Sequence, residues 1–211
     1  MPAAPCRVAP CATLHEKTSQ WFARASAALL NQVPCHAGCC DCCVGVFPVT
    51  ILDHAAIQAG LQTLPDGVRN TILANAAAQT ATMTTAYPAL AATPILDEWP
   101  DQLLDQLAAQ FADLPCPALD AHGRCAIYAF RPLTCRSMGI PPEEHGMVTG
   151  ACVRQIAVPI IRLSEVLRRE EDQLAEDEAR HLNVLQQAHP DRGEELPLPF
   201  AFLPHDTPER K

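Results

Sequence analysis

The sequence predicts a mainly α protein, a small helical domain interrupted by irregular, cysteine-rich loops. Three observations carry that prediction: apolar residues recur at helical spacing in several segments, capping signals precede those segments, and eleven cysteines gather in turn-rich stretches between them. At 211 residues the chain has room for one domain with trailing segments.

Residues 1–12 are rich in Pro and Ala and read as a flexible N-terminal segment without the plan of a secretory signal. Thr13-Leu14-His15-Glu16 has capping-box form and opens a helix to about Asn31, with Leu14, Trp21, Ala25 and Leu29 as its apolar stripe. Pro34 closes it, and a cysteine knuckle follows. Thr50-Ile51-Leu52-Asp53 starts a second helix over about 51–63, which Pro65-Asp66-Gly67 ends. A third covers about 67–86, with Val68, Ile72, Ala76 and Met83 on one face and an Ala/Thr-rich tract that makes a small-residue packing surface. Pro88, Pro94 and Pro100 interrupt the chain before a fourth helix over about 101–113, striped by Leu103, Leu104, Leu107, Phe111 and Leu114.

The region 115–160 reads as irregular, with a short extended piece at Ala126-Ile127-Tyr128. Ser164 begins a long charged helix to about Ala188, seamed by Leu163, Leu167, Leu174, Leu182 and Leu185. Its acidic run from Glu165 to Glu178 alternates with Arg168, Arg169 and Arg180 as a wet face. Beyond Pro190 the proline spacing in Leu196-Pro197-Leu198-Pro199-Phe200 predicts an extended strap. The organisation is thus a flexible segment (1–12), one domain (13–188), and a strap with a frayed tail (189–211).

Fifteen Lys+Arg against 24 Asp+Glu leave a net charge of −9, so no basic run is present to displace counterions from a nucleic acid. Apolar residues make up 48% of the chain, which excludes disorder as the whole answer. No uninterrupted apolar stretch is long enough to span a bilayer. With no signal for export, the expected compartment is the cytoplasm, where thiols stay reduced.

That compartment bears on the cysteines. Cys35-His36-Ala37-Gly38-Cys39-Cys40-Asp41-Cys42-Cys43 packs five cysteines into nine residues, too dense and too uneven for a bridge framework. A Cys-x-x-Cys step such as Cys39 to Cys42 aims two thiolates at one soft cation, and Gly38 permits the tight backbone such knuckles need. Four gathered thiolates carry much negative charge, so backbone N–H groups must point at the sulfurs. A second group, Cys116, Cys125, Cys135 and Cys152, lies in turn-rich sequence that does not read as a core element. Seventy-two residues separate Cys43 from Cys116. If both groups bind together, the metal closes a long loop and substitutes for packing that two Trp, two Tyr and six Phe cannot easily supply.

Cys35-x3-Cys39-x2-Cys42-Cys43, Cys116-Pro117-x-Leu119-Asp120, Gly123-Arg124-Cys125-x-Ile127-Tyr128, Arg131-Pro132-x-x-Cys135-Arg136 and Cys152 together resemble the YkgJ-type cysteine-cluster family, described as a zinc- or iron-chelating or iron–sulfur-cluster-containing domain. The resemblance spans about residues 35–152. It implies Cys35, Cys39, Cys42, Cys43, Cys116, Cys125, Cys135 and Cys152 as metal ligands, and leaves Cys40 as bystander or alternative ligand and Cys6 and Cys11 as surface thiols. A related domain occurs in enzymes that methylate flagellin lysines.

Softness of the donors excludes magnesium and calcium but does not separate zinc, copper(I) and an iron–sulfur cluster; the irregular spacing slightly favours the cluster, with zinc as the alternative. His36, His122 and His145 read as solvated neighbours of the thiols, and Glu143-Glu144 as a solvated pair. Arg131 and Arg136, flanking Cys135, are placed either to donate N–H bonds to sulfur or to pair with Asp120. Tyr128 is expected to bury its ring. No phosphate loop, nucleophile elbow or dinucleotide fingerprint is present. The leading functional class is therefore a metal-binding protein that serves electron transfer, metal handling or binding of a protein partner. The alternatives are an iron-dependent redox or group-transfer enzyme and a structural zinc scaffold.

Overall fold

The computed structural model describes residues 12–29, 33, 39–149, 162–190 and 193–204. Cys6, Cys11, Cys35, His36 and Cys152 lie outside the described residues, as do residues 1–11 and the tail after Pro204.

The fold is mainly helical, as the periodicity predicts. Helix α1 (Leu14–Ala28) starts where its capping box places it: Thr13 Oγ1 accepts from Glu16 N at 3.2 Å, and the Glu16 carboxylate accepts from Thr13 N at 2.8 Å. It stops short of Asn31, with Leu29 as its C-terminal cap. Helix α2 (Ile51–Gln62) has a second such box from Thr50 and Asp53. Helix α3 (Asp66–Ala86) buries Ile72, Ala76, Thr80 and Met83. Val68 departs from the predicted face; it is exposed, because the packed stripe begins one turn later.

Two short helices are absent from the sequence reading, α4 (Ala89–Ala92) and α6 (Leu133–Ser137). Each is too brief for periodicity to show, and each follows directly on a proline, whose fixed φ suits a first helical turn. Between them α5 (Asp101–Gln110) buries Leu107. The last helix, α7 (Glu165–Ala188), begins at Ser164 as expected.

The four strands are short. β1 (Pro48–Thr50) pairs antiparallel with β4 (Glu195–Pro197), with Val49 opposite Leu196. β2 (Glu143–Glu144) and β3 (Met147–Val148) form a hairpin around His145 and Gly146, both at positive φ. The predicted C-terminal strap is extended only through β4. Leu198–Phe202 then winds into a 3-10 turn, a conformation that Pro197 and Pro199 tolerate because the first residues of such a turn need no N–H donor.

That 3-10 segment fills the space between α2 and α3. Leu198, Phe200, Ala201 and Phe202 are buried with Ile57, Leu61, Ile72, Ala76 and Met83, and Gln58 Nε2 donates to the Ala201 carbonyl at 3.0 Å. A second cluster joins α1 to α7 through Trp21, Ala25, Leu29, Ile140, Leu163 and Leu167, with Trp21 Nε1 donating to the Leu167 carbonyl at 2.9 Å. Each fully buried aliphatic or aromatic side chain contributes about 1.5–3 kcal/mol. Leu, Ile, Val and Ala make up most of the first cluster together with Phe111, Phe200 and Phe202, and Cys116 and Cys125 pack against it.

Gly60 on α2 is where this core meets the cysteine-bearing loops. A Cβ there would stand 2.7 Å from the Phe130 Cβ, closer than two such carbons approach. Gly60→Ala gains about 1 kcal/mol of helix propensity, but overpacking against a clamped neighbour costs about 1–3 kcal/mol. We expect net destabilisation, seen as a lower urea midpoint; a raised midpoint would show that Phe130 yields freely.

Candidate metal centre

Main-chain bonds bring the two cysteine groups together. Gly45 N donates to the Leu114 carbonyl at 2.8 Å, and Cys116 N to the Cys43 carbonyl at 2.7 Å, with Val44 bridged antiparallel to Pro115. Gly45 sits at φ +103°, a conformation that a side chain would strain, and it reverses the chain out of the knuckle. Cys42 and Cys43 close a 3-10 turn (Asp41–Cys43), and β1 then leads into α2. The knuckle therefore does not run straight into a helix N-terminus.

The late group is built by a tight loop and a helix. Leu119 is bridged antiparallel to Cys125, and Asp120 folds the intervening turn: its Oδ1 accepts from His122 N and Arg124 N, both at 2.8 Å, and Arg124 pairs with it through Nη2 at 3.0 Å. These backbone bonds hold the Asp120 carboxyl below the usual carboxylate range. The predicted extended piece at Ala126-Ile127-Tyr128 does not form: Ala126 and Ile127 lie in a turn, and Tyr128–Phe130 winds into a 3-10 turn. Cys135 rides on α6.

Asp53 fixes α6, a role that sequence reading missed. Only 1% exposed, its Oδ1 accepts from Leu133 N at 2.8 Å and lies 3.0 Å from His15 Nε2, tying α1, α2 and α6 together. The capping box at Thr50 shows Asp53 as a helix start; nothing local shows that the same carboxylate also caps a helix 80 residues away. Gln79 on α3 was likewise not singled out, and its Nε2 donates to the Pro115 carbonyl at 2.9 Å beside Cys116.

Arg136 behaves differently from either expectation. Arg136 is buried and gives its donors to oxygen: Nε to the Arg131 carbonyl at 2.9 Å, Nη2 to the Ala129 carbonyl at 2.7 Å and Nη1 to Ser19 Oγ at 2.5 Å. Asp120 is engaged by Arg124 and pairs with neither Arg131 nor Arg136. Tyr128 is not buried; its ring is 65% exposed, and the Arg131 guanidinium stacks on it at 3.9 Å. His122 and His145 are exposed. Glu143 pairs with Arg162 at 2.5 Å rather than standing solvated.

Among the described residues, Cys39, Cys40, Cys42, Cys43, Cys116, Cys125 and Cys135 are all free thiols, and all are half-buried. Five of them share one electrostatic neighbourhood. Cys43 feels Cys42, Cys116 and Cys135; Cys116 feels Cys125 and Cys42; Cys135 feels Cys116, Cys42 and Cys125. A hydrogen bond from the Cys43 thiol pulls Cys42 down to about 6, while the same bond pushes Cys43 up. Burial pushes Cys116 up to about 12 and raises Cys125 and Cys135 as well. Among the described residues, no three His, Cys, Asp or Glu side chains stand at metal-holding spacing; the thiols are neighbours that have not closed into a ligand shell. Cys35 and Cys152, the remaining two of the predicted ligands, fall outside the description.

The donor set nonetheless suits a soft cation. The backbone N–H of Ala118 lies near enough to the Cys116 sulfur to favour its thiolate, and that of Ile127 does the same for Cys125, while the Leu119 N–H donates to the Cys116 carbonyl at 3.0 Å. Such donors accept the charge that thiolates keep after binding a metal. A family model described as CxxCxxCC, "Putative zinc- or iron-chelating domain", matches residues 34–153, more than half of the chain. The chain belongs to that family. Neither a curated protein nor a solved structure matches it. The matched span of the CxxCxxCC domain starts beside the knuckle and ends beside Cys152, so it takes in both cysteine groups.

The thiol shifts make a direct forecast for the metal-free protein. Cys42, lowered to about 6, is thiolate at neutral pH, and its alkylation by iodoacetamide should fall only as pH drops through that value. Cys116, up at about 12, should stay unlabelled at neutral pH and gain reactivity only in strong alkali. Peptide mapping after timed labelling from pH 5 to 9 checks the order; equal labelling of the two would contradict it.

Proposed function

We propose that the chain binds metal through cysteine thiolates drawn from Cys35, Cys39, Cys42, Cys43, Cys116, Cys125, Cys135 and Cys152, and that it holds an iron–sulfur cluster in preference to zinc. The observation that supports this reading best is the convergence of Cys42 and Cys43 with Cys116, Cys125 and Cys135 across 72 intervening residues, with main-chain N–H groups near the Cys116 and Cys125 sulfurs. Iron–sulfur clusters use thiolate ligation and depend on N–H···S bonds to set their potential, which suits a shell preloaded with donors. When bound, such a cluster supplies one-electron redox chemistry. The protein's part is to bring the thiols together, remove them from bulk water and offset their charge.

The role is electron transfer, metal handling or partner binding, without turnover of a small substrate by the chain itself. The groove of about 410 Å³ formed by α3, α4 and the C-terminal segment is lined by Ala77, Thr80, Leu90, Phe200 and others and includes no cysteine. No helix among the described residues is long and apolar enough to cross a membrane. Unbridged thiols require a reducing setting, which the cytoplasm provides.

Anaerobic purification or reconstitution with ferrous iron and sulfide, followed by an absorption spectrum and metal and acid-labile sulfide analysis, tests the reading. A brown protein with iron and sulfide in equal amounts is expected; a colourless protein with zinc would replace the cluster by zinc, and no uptake of either would end the proposal. Cys125→Ser and Cys135→Ser should lose the metal by about tenfold or more in affinity, since each removes a ligand rather than its support. Cys40→Ser should leave uptake unchanged; loss of metal from that variant would redraw the ligand set.

A further inference from the structure

Arg131 stands at the joint between the Cys125 turn and the helix that carries Cys135. Its backbone is held, because its carbonyl accepts from Arg136 Nε at 2.9 Å. Its guanidinium carbon lies 3.9 Å from the centre of the Tyr128 ring, so the fork lies flat against an aromatic face. Its Nε is shut away from solvent and, among the described residues, has no hydrogen-bond partner. No ion pair among the described residues engages it either, for Asp120 is taken by Arg124.

A buried, unsatisfied donor on a permanent cation is costly, and stacking on an exposed ring does not satisfy an N–H. Folded proteins keep such groups where an anion completes them. Among the described residues, the Cys42 and Cys125 sulfurs lie near enough to feel this charge, and neither stands at hydrogen-bond distance from Nε. A metal-bound thiolate is a charged acceptor for an N–H donor. Arg136, the neighbouring arginine, has all its placed donors on oxygen and does not compete.

We propose that Arg131, oriented by its stack on Tyr128, donates its Nε–H to the sulfur of Cys125 or Cys42 in the metal-loaded centre and offsets the negative charge there. It is a positioning residue, not a ligand, and the inference rests on the metal-binding reading above.

Cobalt(II) alone serves as the probe, titrated anaerobically into wild type, Arg131→Met and Arg131→Lys. All three should bind the same number of ions. Arg131→Met should bind about ten- to a hundredfold more weakly, and its sulfur-to-cobalt charge-transfer band should move to longer wavelength, since a sulfur without a hydrogen bond gives up charge more readily. Arg131→Lys should recover part of the affinity through its charge but not the band position, because an ammonium on a flexible stem does not reproduce the planar Nε–H. Wild-type affinity and band position in Arg131→Met would overturn the inference and leave the metal-binding reading intact. Failure of wild type to take up cobalt would remove both. If Arg131→Met does not fold, judged by circular dichroism of the metal-free protein, Arg131→Lys decides alone: an unshifted band overturns the inference and a shifted one supports it.

Discussion

The cysteine centre depends on a short piece of main-chain pairing. Segment 43–45 lies antiparallel to segment 114–116, joined by Cys116 N to the Cys43 carbonyl and Gly45 N to the Leu114 carbonyl. Main-chain bonds of this kind do not depend on which side chains stand there, so the pairing can carry cysteines at chemically chosen positions. It also shortens the loop problem. The 72 residues between the two groups carry α2, α3 and α5, whose buried side chains share one core, so the closing loop is structured chain rather than free coil.

Three elements then converge on this pairing, each by its own physical means. The Cys116–Cys125 turn is set by the Asp120 carboxylate and its backbone donors. The Cys135 helix is anchored at its first N–H by Asp53, which α2 presents and His15 of α1 supports. The Tyr128–Phe130 turn is pressed on Gly60, where the absence of a side chain lets the ring approach the helix. The result is a set of half-buried thiols beside N–H donors and an arginine, Arg131, whose Nε has no hydrogen-bond partner among the described residues. Burial raises most of these thiols, so they hold protons until a competing cation displaces them. Membership of the CxxCxxCC domain family accords with that chemistry.

The helices were readable because capping boxes and apolar stripes are local signals. Thr13 and Thr50 mark the starts of α1 and α2, and Trp21, Ala25, Ile72 and Met83 fall on buried faces as their spacing predicts. Val68 misled because a stripe tells which face is apolar, not where along the helix a partner begins. Tyr128 misled for a related reason: an aromatic residue in a turn-rich stretch has no periodicity to place it, and stacking under Arg131 stabilised it outside the core. Asp53 and Arg136 could not be read as hubs, since their partners sit on elements far away in sequence.

By itself, then, the sequence determined the helical class, the helix starts and the identity of the sulfur donors, because propensity, capping and ligand softness belong to residues and their near neighbours. Tertiary structure decided which cysteines meet, that Cys116 and Cys125 pack against a mostly aliphatic core, and where Asp53 and Arg136 direct their polar atoms. Those outcomes follow from contacts between segments tens of residues apart, and the free energy of such contacts exists only once the chain has folded.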